Sequence, residues 1–381
     1  MSLLKYLKGG SIITETQVLE NHVLGFDEKF TRPLHADGFS ADDADIVDAE
    51  GLYISPGLID VHIHGSGGQD TMYGTEETLR TMSATIVKNG VTAFLATTMT
   101  MGWDRISRAL DQIRAGMRLE MPGAQLLGAH MEGPFINVKF KGAQNAEYVI
   151  SPSWELVEAY LDVIKIVTLA PELPGAEEFI RKLKENRIVA SMGHSAASYE
   201  EAVRGVNAGV SHCTHLFNAM TGVHHREPGV AAAALSSDVS CEIIADTIHV
   251  HPGLFELVRK AKGVDRITLI TDCTEAGGMA DGEYSLGGQP ILVKNGSARL
   301  QDGTLAGSVL NLNRGLYNFY KNTGAELFEV FGMASINPAR ELGIDDVKGS
   351  IAEGKDADFV LMDREFNVKA TYIKGKRVYG I

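Results

Sequence analysis

Residues 56–68 read Pro-Gly-Leu-Ile-Asp-Val-His-Ile-His-Gly-Ser-Gly-Gly, a run in which apolar residues alternate with groups able to bind a metal or a proton. Successive side chains of a strand face opposite ways, so Asp60, His62 and His64 are expected on one face. Two imidazoles about 7 Å apart along a strand can converge on one cation. The glycines that follow end the strand and leave room for a ligand to approach. Matching partners recur along the chain: Glu132 in His130-Met131-Glu132-Gly133-Pro134, His194 in Gly193-His194-Ser195, His215 in Thr214-His215-Leu216-Phe217-Asn218-Ala219-Met220, and Asp272 in Thr271-Asp272-Cys273. Taken singly, such residues serve more often as helix caps or hydrogen-bonded core polar groups. Six of them, closing five apolar segments, make a metal site the better reading.

The donor types narrow the cation. Four imidazoles and two carboxylates, without a thiolate, suit a divalent transition metal (Zn2+, Fe2+, Mn2+ or Co2+) better than Ca2+ or Mg2+. Six protein ligands exceed what one hydrolytic ion needs while it keeps a position for water, so one or two ions are expected. In the two-ion arrangement His62 and His64 hold one, His194 and His215 the other, and Glu132 bridges. Such ions acidify water toward neutral pH, and Asp272 would take the released proton and return it to a leaving group.

These residues meet only if the segments carrying them end at one rim. Apolar stretches at 58–63, 92–97, 125–130, 165–169, 188–192, 210–214, 241–245 and 266–271 read as strands; helix-like stretches lie at 76–88, 104–117, 177–186, 198–207 and 252–262. Eight strands alternating with helices predict an α/β chain folded as a (β/α)8 TIM-type barrel, with its chemistry at the strand C-termini. An open doubly wound sheet is the competing arrangement, but no Gly-x-Gly-x-x-Gly opens a first helix. Residues 1–53 show short strands at 11–14, 22–26 and 45–48, and residues 346–381 show others at 357–361, 368–373 and 376–379. Both ends together predict a small β-sandwich domain flanking a catalytic barrel at 54–345. A β-insertion is expected at about 275–310, with strands at 284–286, 289–294 and 298–300 and a turn at Asn295-Gly296.

Composition sets the remaining bounds. The 381 residues are 44% hydrophobic and 22% charged, a globular profile with a large core. Three cysteines without CxxC spacing read as free thiols in a reducing compartment, and the expected location is the cytoplasm. The N-terminal residues lack a signal-peptide core, and no apolar run spans a bilayer, so no membrane partner is expected. A net charge of −14 argues against nucleic acid and requires a local cationic pocket for any anionic substrate.

The strings PGLIDVHIHG, HMEGPF, GHS, THLFNAM and TDC, in this order, resemble the amidohydrolase superfamily, most closely its deacetylases of N-acetylglucosamine 6-phosphate. The resemblance covers nearly the whole chain, including Ser335-Ile336-Asn337-Pro338-Ala339 and a closing stretch at 349–358 that many amidohydrolases share. THLFNAM and His225-Arg226-Glu227-Pro228-Gly229 are more particular. The resemblance implies metal-dependent hydrolysis of the N-acetyl amide of a phosphorylated amino sugar, in amino-sugar catabolism and cell-wall sugar recycling. It implies Glu132, His194 and His215 as metal ligands and Asp272 as acid/base. It further implies that Arg226 and His249 bind the phosphate, with Asn218 and Ala219 helping, in a homodimer where one cationic group crosses between subunits. Arg226 offers a planar fork of donors to phosphate oxygens and His249 a further donor; an ion pair of Arg226 with Glu227 on a surface loop is the alternative.

Some members of the family lack the paired histidines and bind one ion, whereas this chain keeps His62 and His64. Gln144 stands where other members carry a histidine proposed to orient the acetyl carbonyl; it can donate a hydrogen bond but cannot titrate. Thr247 replaces a usual glycine, and Cys273 a common alanine. Cyclic amidases share the barrel but bridge their ions with a carboxylated lysine ending strand four, and here Lys165 lies near that strand's start. A metal-free scaffold would have lost several of the six donors.

Overall fold

The computed structural model describes residues 4–40 and 45–380; residues 1–3, 41–44 and 381, which the sequence assigns to the sandwich, lie outside the described residues. Eight apolar segments pair in chain order as one parallel sheet: β1 (Leu58–Ile63), β2 (Val91–Thr98), β3 (Gln125–Glu132), β4 (Ile164–Leu169), β5 (Val189–Met192), β6 (His212–Cys213), β7 (Ser240–Ile244) and β8 (Ile267–Ile270). β1 and β2 are buried on both faces, as strands wrapped by helices must be. The sheet curls until β8 meets β1. At the rim Asp272 N donates to His62 O (2.8 Å) and His64 N to Cys273 O (2.9 Å). Deeper in the seam, Ile59 N turns to Ala334 O (2.8 Å) and Leu269 N to Met333 O (2.9 Å). The barrel therefore closes where the candidate chemistry sits, and residues 333–334 plug the gap beneath.

Helices Glu76–Ile86, Trp103–Gly116, Ala176–Glu185, Tyr199–Ala208 and Phe255–Lys262 fall where the pattern places them. Thr75 caps the first, and Ser198 with Glu201 forms a reciprocal capping box on the fourth. Helix Val230–Ser236 escapes the pattern because its alanine run has no polar face to set a period. β6 is shorter than the expected 210–214, and just beyond it, after Thr214, His215 turns left-handed (φ 27°).

One irregularity bears on the site. Asp60 pairs with Phe94 but Ile63 with Ala96, so three steps along β1 match two along β2. Such a bulge re-aims side chains. Asp60 leaves the face of His62 and His64, and its Oδ2 accepts from Thr271 Oγ1 (2.6 Å) beside a recess lined by Ile86, Asn89 and Asn311. The expected common face for all three residues is thus corrected: only the two histidines reach the rim.

Both termini build the smaller unit, a β-sandwich. One sheet runs Leu34–His35, His22–Phe26, Lys5–Lys8, Asp45–Asp48; the other runs Lys376–Gly380, Val368–Ile373, Phe359–Met362, Tyr53–Pro56, Ser11–Ile13, Val18–Leu19. Leu7, Leu24, Phe26, Ile54 and Phe359 fill the space between them, with Phe359 stacked on Tyr372 at 4.3 Å between centroids. Strand Tyr53–Pro56 runs straight into β1 through Gly57, where a Cβ would lie 2.2 Å from Thr92 Oγ1.

The insertion is an antiparallel meander, Gly282–Leu286, Gln289–Lys294, Ser297–Arg299, turning at Asn295-Gly296. Asp70 accepts from Gly287 N (2.8 Å), and Glu275 accepts from Tyr73 Oη and Ser285 N, so acids at the barrel rim anchor it. Gly65, directly after His64, is required by this packing: a Cβ there would lie 2.3 Å from Gln69 O and 2.6 Å from Glu275 N. Cys213, Cys241 and Cys273 are buried free thiols. Among the described residues, no helix is long and apolar enough to cross a membrane.

Candidate metal centre and active site

Three of the site residues end their strands in the left-handed region: His194 (φ 48°), His215 (φ 27°) and Asp272 (φ 50°). Each such turn costs a non-glycine residue about 1–2 kcal/mol, and survives only where neighbours hold it. Here Asn137 N donates to His194 O (2.8 Å), His215 N to Glu242 Oε2 (3.0 Å), and Ser308 N to Asp272 O (2.7 Å). The sharp turns end the strands abruptly and throw the side chains across the barrel mouth.

They meet there. Glu132 Oε1 lies 3.2 Å from His194 Nε2 and 3.1 Å from His215 Nε2, and those nitrogens are 3.1 Å apart. Beside this triad, His62 Nε2 and His64 Nε2 are 3.3 Å apart, each 3.4 Å from a Glu132 oxygen. Asp272 Oδ1 closes the group at 3.2 Å from His64 Nε2 and 3.5 Å from His62 Nε2. Donors held about 2.0–2.1 Å from a tetrahedral ion are separated by about 3.3–3.4 Å, so both triads have the spacing of a coordination shell.

Ring orientation supports the same reading. His62 Nδ1 donates to Glu242 Oε2 (2.9 Å) and His194 Nδ1 to Phe140 O (3.0 Å). A carboxylate or carbonyl only accepts, so in the neutral rings the Nε2 lone pairs face the carboxylates. Lone pairs aimed at carboxylate oxygens repel unless a cation or a proton stands between them. Burial pushes the Glu132 carboxyl up, yet the imidazoles of His194, His215 and His62 outweigh it and hold the group well below the usual range. Asp272 is likewise lowered, burial being overcome first by His62 and then by His64. Both acids are ionised at neutral pH, as a cation site requires. His130, by contrast, is driven down to about 3 by burial and by His62; its ring donates to Val61 O and accepts from Thr168, so it stays neutral beneath the site.

The cluster floors a cavity of about 180 Å³, walled by Gly142, Gln144, Asn218, Ala219, His249 and Asp272 and overhung by Leu286 and Leu305 of the insertion region. Gln144 is fixed at both ends, its Oε1 accepting from Thr100 N (2.7 Å) and its Nε2 donating to Glu132. His249 Nδ1 donates to Asp246 Oδ2 (2.7 Å). The structure thus gathers His62, His64, Glu132, His194, His215 and Asp272, and sets Gln144, Asn218, Ala219 and His249 around them. Arg226 is not on this wall. It sits exposed in the 221–229 loop, its Nη1 bonded to His225 Nε2 at 2.7 Å rather than to Glu227.

Sequence reasoning missed Glu242 and Asp246, which brace His62, His215 and His249. Their signals were present: a carboxylate inside the apolar run Cys241-Glu242-Ile243-Ile244, and an acid three residues before a histidine.

A family model described as the amidohydrolase family matches residues 53–378. The N-acetylglucosamine-6-phosphate deacetylase of Bacillus subtilis (strain 168) is 40% identical over 378 residues, covering 97% of this chain and 96% of its own length. The crystal structure of N-acetylglucosamine-6-phosphate deacetylase from Pasteurella multocida superposes with a TM-score of 0.94 at 31% identity, over 98% of this chain and 99% of that one. A variant of the Mycobacterium smegmatis enzyme in complex with N-acetyl-D-glucosamine-6-phosphate gives 0.91 at 30% identity, over 99% of both chains. The barrel, the gathered rim donors and this end-to-end likeness have one account: the chain belongs to the amidohydrolase family.

Proposed function

We propose that the chain hydrolyses the N-acetyl group of N-acetyl-D-glucosamine 6-phosphate to D-glucosamine 6-phosphate and acetate, in amino-sugar catabolism and cell-wall sugar recycling. The observation that carries this is Asp272, an ionised carboxylate on the wall of a cavity whose floor is two overlapping triads of metal-donor geometry. Glu132, His194 and His215 would hold one divalent transition ion, and His62 and His64, sharing Glu132, a second. Such an ion supplies Lewis acidity and brings water toward deprotonation at neutral pH. Asp272 takes the proton from the water that adds to the acetyl carbonyl carbon. It then passes that proton to the amide nitrogen as the C–N bond breaks, releasing the amine and acetate.

The walls give the remaining parts roles. Asn218 and the Ala219 backbone line the sugar, and Gln144, locked onto Glu132, holds the bridging carboxylate rather than swinging to the acetyl oxygen. His249 faces the phosphate. Among the described residues, no lysine or arginine lines the cavity, and Lys141 beside it commits its Nζ to the carbonyls of Gly142 and Gln144. An exposed Arg226 fits a homodimer in which it reaches the partner's phosphate. The direct test is acetate release from N-acetylglucosamine 6-phosphate before and after chelation and metal add-back. Turnover that survives complete metal removal, or that ignores the phosphate, would defeat the reading.

A further inference from the structure

Glu242 lies at the centre of the barrel, with no exposed surface and no direct part in the chemistry. Its Oε2 accepts from His62 Nδ1 (2.9 Å) and from His215 N (3.0 Å). Its Oε1 accepts from His212 Nε2 (3.0 Å) and lies 4.0 Å from His130 Nδ1. Behind it, His212 Nδ1 meets Glu341, a residue of the helix Ile336–Glu341. His62 and His215 belong to different donor triads, so one carboxylate oxygen touches both.

We propose that Glu242 is a positioning residue shared by both cation subsites, fixing the ring of His62 in one and the left-handed turn of His215 in the other. For His62 the effect is electronic and orientational: the Nδ1 proton is held on Glu242, leaving Nε2 as the ligand atom and raising its basicity. For His215 the effect is on the backbone. Its N–H would otherwise be buried without an acceptor at φ 27°, and the turn that aims its ring would lose its anchor. Glutamine in this place has one acceptor oxygen and one donor nitrogen for three converging donors, so it satisfies the array only if His212 gives up its Nε2 proton. Aspartate is a methylene short of the span.

This inference rests on the reading that the two triads hold cations, and the experiment separates the two. Metal-free full-length protein and its Glu242→Gln and Glu242→Asp variants are titrated with Co2+ by calorimetry and by visible absorption. Failure of the unmodified protein to bind Co2+ would remove the metal reading itself. Given binding, Glu242→Gln should weaken affinity about 10- to 100-fold, and Glu242→Asp at least as much. In a His62→Ala background, where the first contact is gone, Glu242→Gln should still weaken the remaining subsite through His215. Unchanged Co2+ affinity, or a loss that vanishes in the His62→Ala background, would overturn the shared role. Should the variants not fold, the unmodified protein still decides: histidine-labelled 15N spectra of its metal-loaded form must show His62 protonated at Nδ1, and an Nε2-protonated ring overturns the proposal.

Discussion

At the scale of single residues, charge state and direction decide what each side chain does. Asp272 is buried, ionised and aimed past His64 into the cavity, which is how a base must stand before the water is deprotonated. Asp272→Asn preserves size and removes the acceptor, so turnover should fall about 10²- to 10⁴-fold while metal content and melting temperature stay close to those of the parent. Near-normal kcat in that variant would take the proton-transfer role away from Asp272. Asp246 makes a different prediction. Its carboxyl, though pushed up by burial, is held below the usual range by His249. A lowered folded pKa contributes stability that is fully present above the unfolded value of about 4 and is lost as the pH falls through the folded value. Asp246→Asn should therefore be less stable than the parent at pH 7, and the difference should shrink on acidification below about pH 4, measured by urea unfolding across that range. A gap that stays constant with pH would mean that the pair does not stabilise the fold electrostatically.

At the scale of elements, packing decides which sequence signals speak. Residues Leu58–Ile63 announce a strand because apolar and polar residues alternate, and the NG turn announces the insertion because Asn295 and Gly296 both take positive φ (53° and 75°). What alternation cannot show is the bulge that turns Asp60 toward Thr271, because that depends on pairing between β1 and β2 and leaves no local mark. The Glu242 carboxylate stood out in its apolar run, but its role did not: its three donors arrive from β1, from β6 and from the turn after β6, so that role exists only once the barrel closes. Gly65 was visible, but its reason was not. Its close neighbours are the backbones of Gln69 and, beneath the insertion, Glu275. Gly65→Ala should cost about 1–3 kcal/mol of stability through overpacking, and should also raise KM because His64 and the insertion shift together. Unaltered unfolding and kinetics would mean that the two loops separate without cost.

At the scale of the whole molecule, the question is how a chain of net charge −14 takes up an anion. Long-range electrostatics oppose it, so recognition must rest on cations placed at the phosphate. One chain presents His249 on the cavity wall and leaves Arg226 exposed on a loop away from it. In the proposed dimer, Arg226 of each subunit completes the other's site. Two defective variants then become a test. Arg226→Ala should raise KM for the phosphorylated sugar far more than for its unphosphorylated analogue, and Asp272→Asn should be nearly inactive. In a mixed dimer with Arg226 acting across subunits, one site collects both defects, while the other has an intact Asp272 facing an intact Arg226. Random pairing of equal amounts makes about half of the dimers mixed, so about a quarter of all sites regain full function. Co-expressing the two variants and assaying at substrate well below KM should show activity above the average of the two parents. If Arg226 serves its own subunit, every site in the mixture keeps one defect, and the measured rate is that average and nothing more.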